Sequence, residues 1–410
     1  MDDAASPVPD IEPSVTEAEL EVAIVGAGVG GLTAAIALAR KGVRVTVFEQ
    51  AAELAPVGAS LQLGPNATRL LDALGLEAAI RRIGVRTDAV ELVRWDDGRV
   101  LLRTELGAAA EEYFGAPPLD FLRPDLQRVL LEAVPPGSIR LGAQVTRVDQ
   151  DGGRATLTLA GGRRVAADAV VAADGIRSPI RQQLLGADEP VFSGTVVYRG
   201  LVPRERAVDL HPERVNRYWL GPYRHGVVYW LSARTVLAVN AAVQHAEWAE
   251  ESWTAEAPTE ELLAYLEGWD PALLERVRRC TTLLRGAVFV RRPLEHWSFG
   301  RVTLLGDAAH AMEPWQAQGA AQAIEDAYVL GECVAGADSN VDAALGRYER
   351  IRMERATELQ QSSAHAGNVF YLPDGEEQRR RDEEYATLHE RLPWGHRQKL
   401  WEYDVRSSLN

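Results

Sequence analysis

The stretch Glu21-Val-Ala-Ile-Val-Gly26-Ala-Gly28-Val-Gly-Gly31 decides how this chain begins to fold. Its first five residues are apolar and rich in β-branched side chains, which predicts a buried strand. The glycines follow in the spacing G-x-G-x-x-G, and the Ala- and Leu-rich segment LTAAIALARKG after them predicts a helix. Such a turn between a strand and a helix is typical of a dinucleotide site, because the free N–H groups at a helix N-terminus bind a pyrophosphate.

Each glycine has its own role in this prediction. Gly26 permits the tight turn after the strand, Gly28 lets the backbone approach the pyrophosphate, and Gly31 allows the helix to pack closely on the strand. A second strand, VRVTVF at 43–48, ends at Glu49. The Glu49 carboxylate is placed to accept hydrogen bonds from the adenosine ribose, and it disfavours a 2′-phosphate. The pattern therefore indicates bound FAD or NAD rather than NADP.

Composition sets limits on the partners and the location of the chain. Its 410 residues are 46% hydrophobic and 25% charged, as expected for a globular protein of two or three domains. The net charge of −15 disfavours nucleic acid and anionic membrane surfaces as partners. Residues 1–19 predict a disordered acidic tail without the features of a signal peptide. No apolar run approaches the ~20 residues that a membrane helix needs.

The chain has only two cysteines, Cys280 and Cys333, and they lie far apart. We therefore expect neither a disulfide framework nor a metal site, and both thiols are expected to be buried apolar side chains. This cysteine usage is typical of a reducing compartment and predicts a cytoplasmic protein.

Two later motifs identify the cofactor. The segment DAVVAADGIRSPIR around Asp174 resembles the "DG" fingerprint of flavoprotein monooxygenases, and LLGDAAH around Asp307 resembles their "GD" motif. With VGASLQLGPNATRLLDALGL, VVYRGLVP, GPYRHGVVYW and the terminal WEYD, the chain resembles the group A FAD-dependent aromatic monooxygenases from about residue 21 to 404. It is most similar to the salicylate-hydroxylase-like branch, which includes 3-hydroxybenzoate 6-hydroxylases and 6-hydroxynicotinate 3-monooxygenases.

The resemblance implies an α/β fold, α+β overall. A Rossmann-like FAD-binding domain would carry an inserted antiparallel-sheet substrate domain and C-terminal helices. The short β-like stretches and many aromatic residues between 191 and 290 support the inserted sheet. We expect the FAD-binding domain at 20–77, 103–187 and 286–370, the sheet domain at 78–102 and 188–285, and a C-terminal helical segment at 371–410.

The resemblance also implies which residues bind FAD: Gly26, Gly28, Gly31, Glu49, Arg123, Val145, Asp174, Asp307, Gly319 and Ala320. Arg123 would reach the ribose–pyrophosphate region, and Val145 would lie near the adenine. Asp174 would lie near the pyrophosphate and the transient nicotinamide cofactor, whereas Asp307 would bind the ribityl or pyrophosphate part. The helix that starts at Gly319 would point N–H groups at the flavin O2 edge, where reduced flavin is anionic.

The reaction implied by the resemblance is the hydroxylation of a small hydroxy- or aminobenzoate-like ring. NADH or NADPH would reduce FAD, which would trap O2 as a C4a-hydroperoxide that attacks the ring. A general base near a phenol helps the ring donate electrons. His225 is the candidate base, and Tyr229 shares its strand face because their separation is even. The alternative for both residues is ordinary strand packing.

Further candidates border the expected ring pocket, and each has a structural alternative. Pro314 would lie beside the peroxide or would simply start a helix. Trp315 would roof the ring or fill the core. Arg199 or Arg217 could hold a substrate carboxylate through paired hydrogen bonds, although a surface arginine is the alternative for each. His310 is expected to be structural.

Several functional alternatives stay open from the sequence. An epoxidase or a natural-product tailoring hydroxylase could use the same flavin scaffold, and a non-oxygenating FAD protein is a remote alternative. The substrate, the choice between NADH and NADPH, and the choice between monomer and homodimer are also open.

Overall fold

A computed structural model of the chain describes residues 20–54, 60–186, 188–248, 255–335, 337 and 340–409. The expected N-terminal tail, residues 1–19, lies outside the described residues.

The strands, numbered in chain order, are β1 (Glu21–Val25), β2 (Arg44–Phe48), β3 (Ser60–Leu63), β4 (Val85–Arg86), β5 (Ala89–Arg94), β6 (Val100–Glu105), β7 (Leu119–Leu122), β8 (Ile139–Arg140), β9 (Val145–Gln150), β10 (Ala155–Leu159), β11 (Arg164–Ala167), β12 (Ala169–Ala172), β13 (Val191–Pro203), β14 (Val215–Gly221), β15 (Arg224–Leu231), β16 (Val236–Gln244), β17 (Ala255–Glu256), β18 (Thr282–Val290), β19 (Ser298–Phe299) and β20 (Val302–Leu304).

The helices are α1 (Val29–Ala39), α2 (Pro65–Ala73), α3 (Glu77–Ile83), α4 (Gly107–Phe114), α5 (Arg123–Ala133), α6 (Pro179–Leu185), α7 (Thr259–Tyr265), α8 (Pro271–Arg278), α9 (Asp307–His310), α10 (Gly319–Ala335), α11 (Val341–Phe370), α12 (Glu376–Arg391) and α13 (Gln398–Glu402).

A six-stranded sheet forms the centre of the cofactor-binding half, in the order β19-β20-β12-β1-β2-β8. The pairs β1–β2, β1–β12 and β12–β20 are all parallel. The helix α1 connects β1 to β2, which confirms the strand–glycine turn–helix–strand unit predicted from the sequence. The strands β1, β12 and β20 are buried along nearly their whole length because helices cover the sheet. Ile24, Val47 and Val170 are wholly buried. This is the Rossmann-like part of an α/β fold.

An eight-stranded sheet forms the second half, in the order β17-β18-β13-β16-β15-β14-β5-β6. Its strand pairs are antiparallel except for β14–β5, which is parallel. One face packs against α7 and α8 through the buried side chains of Trp219, Trp230 and Leu273. The domain boundaries expected after residues 77, 102 and 285 fall inside α3, β6 and β18, so the division into domains stays a proposal with those three edges moved to the ends of the elements.

A small sheet, in the order β3-β7-β4, lies against the other face of the large sheet. Ser60 and Gln62 on β3 reach across to Tyr229 and Tyr218 on the large sheet. The region between the two sheets therefore contains polar side chains, among them the predicted site residue Tyr229.

Candidate functional site

The carboxyl ends of four neighbouring parallel strands meet at one edge of the six-stranded sheet. Gly26 follows β1 and Glu49 follows β2, while Asp174 and Asp307 come shortly after β12 and β20. Open α/β sheets bind ligands at this edge. The fold thus brings together four predicted cofactor residues that lie up to 281 positions apart in the chain (307 − 26).

Two glycines of the turn, Gly26 and Gly31, have no room for a side chain, whereas Gly28 faces open space. Gly26 has a φ of +102°, and a Cβ there would lie 2.4 Å from the Ala173 carbonyl oxygen. A Cβ on Gly31 would lie 2.0 Å from the Gly26 carbonyl oxygen, so the helix packs closely on the turn. A Cβ on Gly28 would have no atom within 4 Å. Gly28 is therefore the place where a phosphate could approach the backbone.

The Glu49 carboxylate fastens the glycine turn to the end of β2. Its Oε2 accepts a hydrogen bond from the Ala27 N–H at 2.8 Å, and its Oε1 accepts one from the Ala51 N–H at 2.9 Å. From the other side, the Gln127 side chain on α5 donates to the Ala27 carbonyl at 2.7 Å. Arg123, one helical turn earlier on α5, is exposed. Gln127 was not predicted as a site residue, although its spacing from Arg123 places both on one side of the helix.

Two carboxylates at the same edge differ in their surroundings. Burial raises the pKa of Asp174 to about 6, although the nearby Ser178 hydroxyl opposes the shift. Both Asp174 carboxylate oxygens are buried without a hydrogen-bond partner of normal geometry among the described residues. Asp307 is exposed, and its Oδ1 would lie 3.9 Å from a Cβ at Gly319. Both carboxylates are thus available to the hydroxyl or amide groups of a ligand.

The predicted residues Gly319 and Ala320 form the first turn of α10, next to Asp307. Val145 begins β9 and is 3% exposed, packed in the core of this half, so its contact with the adenine stays a prediction. The open Gly28, the unpartnered Asp174, the exposed Asp307 and the N-terminus of α10 together fit a long dinucleotide cofactor such as FAD.

His225 on β15 lies inside a group of aromatic rings. Its ring centroid is 5.2 Å from that of Trp315, 5.6 Å from Phe370 and 5.5 Å from Tyr371. The side chain is 6% exposed, and Nδ1 is buried without a partner among the described residues. Burial lowers the pKa of His225 to about 4, which keeps the imidazole uncharged at neutral pH. Phe370 and Tyr371 were not predicted as site residues, because they lie at and just after the far end of α11.

Tyr229 shares a sheet face with His225, as predicted from their even spacing. On the neighbouring strand β16, His225 pairs with Ala242 and Tyr229 pairs with Ala238. The Tyr229 hydroxyl donates to the Ser60 Oγ at 2.6 Å and accepts from the Asn240 Nδ2 at 3.2 Å. Neither Ser60 nor Asn240 was singled out from the sequence.

The segment before α10 connects the cofactor edge to the aromatic group around His225. Pro314 is the exposed first residue of a short 3₁₀ turn, Pro314–Gln316. Trp315 in the same turn is buried against His225, and its indole N–H donates to the Glu313 carboxylate. The turn then enters α10 through Ala317, which has a φ of +53°. The turn thus places Trp315 against His225, whereas a contact of Pro314 with the flavin stays a prediction.

The two arginines considered for a substrate carboxylate lie on opposite faces of the large sheet. The Arg217 Nε donates to the Glu91 Oε2 at 2.6 Å, and Arg217 stacks near Trp219 on the face away from His225. This corrects the expectation that Arg217 binds substrate, because its charge is already paired and it points away from the ring pocket. Arg199 pairs with Asn240 in the sheet and so shares its face.

The electrostatic environment of Arg199 differs from that of an ordinary surface arginine. Burial, with a contribution from the positive charge of Arg123, lowers the pKa of Arg199 to about 10. Two cations that influence each other in this way favour a nearby anion.

A buried polar cluster lies between the small and large sheets, and the sequence analysis did not identify it. The Asp120 Oδ2 accepts hydrogen bonds from the Thr87 hydroxyl at 2.7 Å and from the Asn216 Nδ2 at 2.9 Å. Burial raises the pKa of Asp120 to about 7, although Thr87, Asn216 and the charge of Arg397 oppose the shift. A cavity of about 30 Å³ lies beside these groups and reaches the turn that precedes α10.

Membrane helices and metal sites were considered for the described part of the chain. None of its helices has the length and apolar character needed to cross a bilayer. Within the same residues, no group of three or more histidine, cysteine, aspartate or glutamate side chains is placed to hold a metal ion.

Comparison with known proteins agrees with this arrangement. Residues 19–363 match the family described as an FAD-binding domain. The chain is 42% identical to a 3-amino-4-hydroxybenzoate 2-monooxygenase of Streptomyces platensis, over 90% of this chain and 93% of that protein. It is 34% identical to a 3-hydroxybenzoate 6-hydroxylase of Klebsiella oxytoca, over 87% of this chain and 90% of the relative.

Solved structures show the same fold. A salicylate hydroxylase in complex with its substrate superposes with a TM-score of 0.81 at 26% identity, covering 95% of this chain and 97% of that one. The Klebsiella pneumoniae protein HpxO, crystallised with FAD and uric acid, gives a TM-score of 0.83 at 26% identity, covering 91% and 95%. The chain therefore belongs to the FAD-binding family of aromatic monooxygenases, and it is a flavin-dependent enzyme that hydroxylates a small aromatic compound.

Proposed function

We propose that the substrate is an amino-substituted hydroxybenzoate and that His225 binds its ring hydroxyl. The observation that carries the proposal is the buried Nδ1 of His225, which lacks a partner among the described residues and lies within a group of three aromatic rings. A flat ring fits between such side chains, since aromatic pairs prefer stacked or edge-on contacts. The 42% identity to a 3-amino-4-hydroxybenzoate 2-monooxygenase supports this substrate class.

FAD supplies the redox chemistry when it is bound, by passing reducing equivalents from NADH or NADPH to O2. The protein would hold it through the glycine turn of Gly26, Gly28 and Gly31 at the pyrophosphate and through the carboxylates of Glu49 and Asp307. His225 is uncharged and can accept the proton of a ring hydroxyl, which makes the ring a better electron donor. A phenolate held beside it would raise the lowered pKa of His225 again, because an adjacent negative charge favours the imidazolium.

Arg199 is the proposed partner of the substrate carboxylate. It lies on the same sheet face as Asn240, which bonds the Tyr229 hydroxyl. Trp315 and Phe370 enclose His225 and exclude water from the substrate ring. Excluding water favours transfer of oxygen to the substrate over release of hydrogen peroxide.

The test is turnover of 3-amino-4-hydroxybenzoate by the FAD-loaded chain, with NADH and with NADPH, under isotopically labelled O2. We expect a product that carries one labelled oxygen atom, with little hydrogen peroxide released. Two comparison substrates, 3-hydroxybenzoate and 6-hydroxynicotinate, are expected to be poorer. Exclusive turnover of either comparison substrate would overturn the amino-substituted assignment while leaving the enzyme class intact.

Matched variants test the two residue roles. His225→Asn is expected to release more peroxide for each NAD(P)H oxidised, whereas His245→Asn, a histidine packed against Trp248 and Tyr265, is not. Arg199→Gln is expected to raise the KM about 10- to 100-fold, as for the loss of a charged hydrogen bond. Arg217→Gln, on the opposite face, is the control. Equal effects of the two arginine substitutions would rule out a specific role for Arg199.

We also propose a cytoplasmic location and a monomeric or homodimeric state. The free cysteines Cys280 and Cys333 support a reducing compartment. Light scattering of the purified protein distinguishes the two oligomeric states.

A further inference from the structure

A buried ionic cluster joins α10 to α11 behind the cofactor edge, and we call it the Arg352 cluster. The Arg352 Nη1 donates to the Glu325 Oε2 at 2.7 Å, and its Nε donates to the Asp326 Oδ1 at 2.9 Å. The Arg352 Nη2 donates to the Gln322 Oε1 at 2.6 Å. The side chains of Arg352, Glu325 and Asp326 are all 0% exposed. Three formal charges therefore lie in the interior, where neither water nor salt screens them.

The Arg352 cluster also contacts the backbone at the cofactor edge. The Asp326 Oδ2 accepts a hydrogen bond from the Gly306 N–H at 3.0 Å and is bonded to the His310 Nε2 at 2.6 Å. Gly306 directly precedes Asp307, so this carboxylate fixes the turn that carries the predicted cofactor ligand.

A second branch of the cluster reaches the start of α10. The Asn66 Nδ2 donates to the Glu325 Oε1 at 2.7 Å and to the Gln318 Oε1 at 3.1 Å. Gln318 directly precedes Gly319, the first residue of α10. The two carboxylates thus lie behind the same helix N-terminus that is expected to face the flavin.

The charges in the cluster are held by their mutual attraction. Burial alone would raise the pKa of Asp326, but its electrostatic and hydrogen-bond interactions with His310 and Arg352 outweigh burial and lower it. Burial would likewise lower the pKa of Arg352, but Glu325 and Asp326 raise it. Glu325 lies six residues after Gly319, about 9 Å along the helix axis. At that distance in a water-free interior, an unbalanced charge acts strongly on the N-terminus of the helix.

We propose that Arg352 is a positioning residue that tunes the reduction potential of the bound flavin, by offsetting one of the two negative charges of Glu325 and Asp326 behind the N-terminus of α10. The inference rests on the proposed placement of the flavin at the first turn of α10. Reduced flavin carries negative charge at N1 and C2=O, and the positive end of the helix stabilises it. Unbalanced carboxylates in the same helix oppose that stabilisation.

The test is the midpoint potential of the FAD-loaded protein, measured by equilibrium dye titration, which does not depend on turnover. Arg352→Met is expected to raise the ratio of oxidised to reduced flavin about tenfold at a fixed potential. For a two-electron couple this corresponds to a midpoint potential lower by about 30 mV. Glu325→Gln removes a negative charge and is expected to raise the potential. Arg352→Lys keeps the charge and is expected to stay near the unmodified protein. Arg350→Met removes an exposed charge from the same helix and is the control.

A double variant distinguishes the effect of charge on the potential from the effect of lost hydrogen bonds. Arg352→Met combined with Glu325→Gln removes one charge of each sign, so the potential is expected to return towards that of the unmodified protein although the hydrogen bonds are lost. A shift in the same direction for Arg352→Met and Glu325→Gln would overturn the inference. An unchanged potential in Glu325→Gln would also overturn the inference. This variant provides a test even if Arg352→Met fails to fold.

The two proposals fail in different ways. A purified chain that binds no FAD would overturn the proposed function. A yellow protein whose potential is indifferent to these substitutions would overturn only the role of Arg352.

Discussion

The Glu49 carboxylate accepts a hydrogen bond from the Ala27 N–H at 2.8 Å, and this contact joins the end of β2 to the glycine turn after β1. The acid that the sequence assigns to the ribose therefore also shapes the turn that would receive the pyrophosphate. The negative charge of Glu49 strengthens its hydrogen bonds with the N–H groups of Ala27 and Ala51, because ionised acceptors form stronger hydrogen bonds than neutral ones.

Glu49→Gln is expected to weaken FAD binding by about 10- to 100-fold, since it removes charged hydrogen bonds worth about 1.5–3 kcal/mol. Fluorescence titration of the apoprotein with FAD measures the loss. Glu53→Gln, which changes an exposed acid four residues later, is the control and is expected to bind FAD normally. Equal affinities for the two variants would contradict the role given to Glu49.

Alanine substitutions at Gly26 and Gly28 are expected to act in different ways. Gly26→Ala adds a Cβ that would lie 2.4 Å from the Ala173 carbonyl at a φ of +102°, so the apoprotein itself is expected to lose stability. Gly28 has a φ of −74° and open space around its Cβ, so Gly28→Ala is expected to fold normally and bind FAD weakly. Thermal unfolding with and without FAD separates the two effects. Normal FAD binding by Gly28→Ala would show that the pyrophosphate does not approach there.

His211 is expected to destabilise the fold as the pH falls below about 6.5. Burial lowers the pKa of His211 to about 4, and the His211 Nε2 lies 2.7 Å from the Val215 carbonyl. The unfolded chain then binds more protons than the fold between pH 6.5 and 4, so acid favours unfolding, by up to about 3 kcal/mol for this group. His211→Gln is expected to flatten the decline in the free energy of unfolding between pH 7 and 5. Parallel pH profiles for the two proteins would refute this.

Asp120 is expected to have the opposite dependence on pH. Because burial raises its pKa to about 7, the folded chain holds the Asp120 proton that the unfolded chain releases near pH 4. The stability from this group is complete below pH 4 and is lost as the pH rises to about 7, by up to about 4 kcal/mol. Asp120→Asn keeps an oxygen for Thr87 and Asn216 to bond, so its advantage over the unmodified protein should grow between pH 5 and 8. Urea denaturation at both ends of that range checks the sign.

The cofactor edge could be predicted from the sequence because its signals are local. The β1–α1–β2 unit needs only a short apolar strand, three spaced glycines and an Ala-rich helix, all within thirty residues. The motifs around Asp174 and Asp307 also follow short buried strands. The structure places Asp174 after β12, next to β1, and Asp307 after β20, on the other side of β12. Residues such as Gln127 escaped notice because a single glutamine on an amphipathic helix carries no signal of its own.

The ring pocket was harder to predict because it depends on contacts between distant segments. The face shared by His225 and Tyr229 follows from strand alternation alone. Arg217 lies on another strand, and its face is set by the register that pairs it with Val228 across a tight turn, which the sequence pattern does not fix. Phe370 and Tyr371 reach His225 only because α11 returns to the large sheet.

The helix α11 is one continuous element that contacts both halves of the site. Arg352, in its middle, contacts the acids of α10, and Phe370, at its end, contacts the His225 ring. The two residues are 18 positions apart, or about 27 Å along the helix axis. A ligand that shifts one end tilts the other, so flavin occupancy and affinity for the aromatic compound should be thermodynamically linked, each changing the other by the same factor.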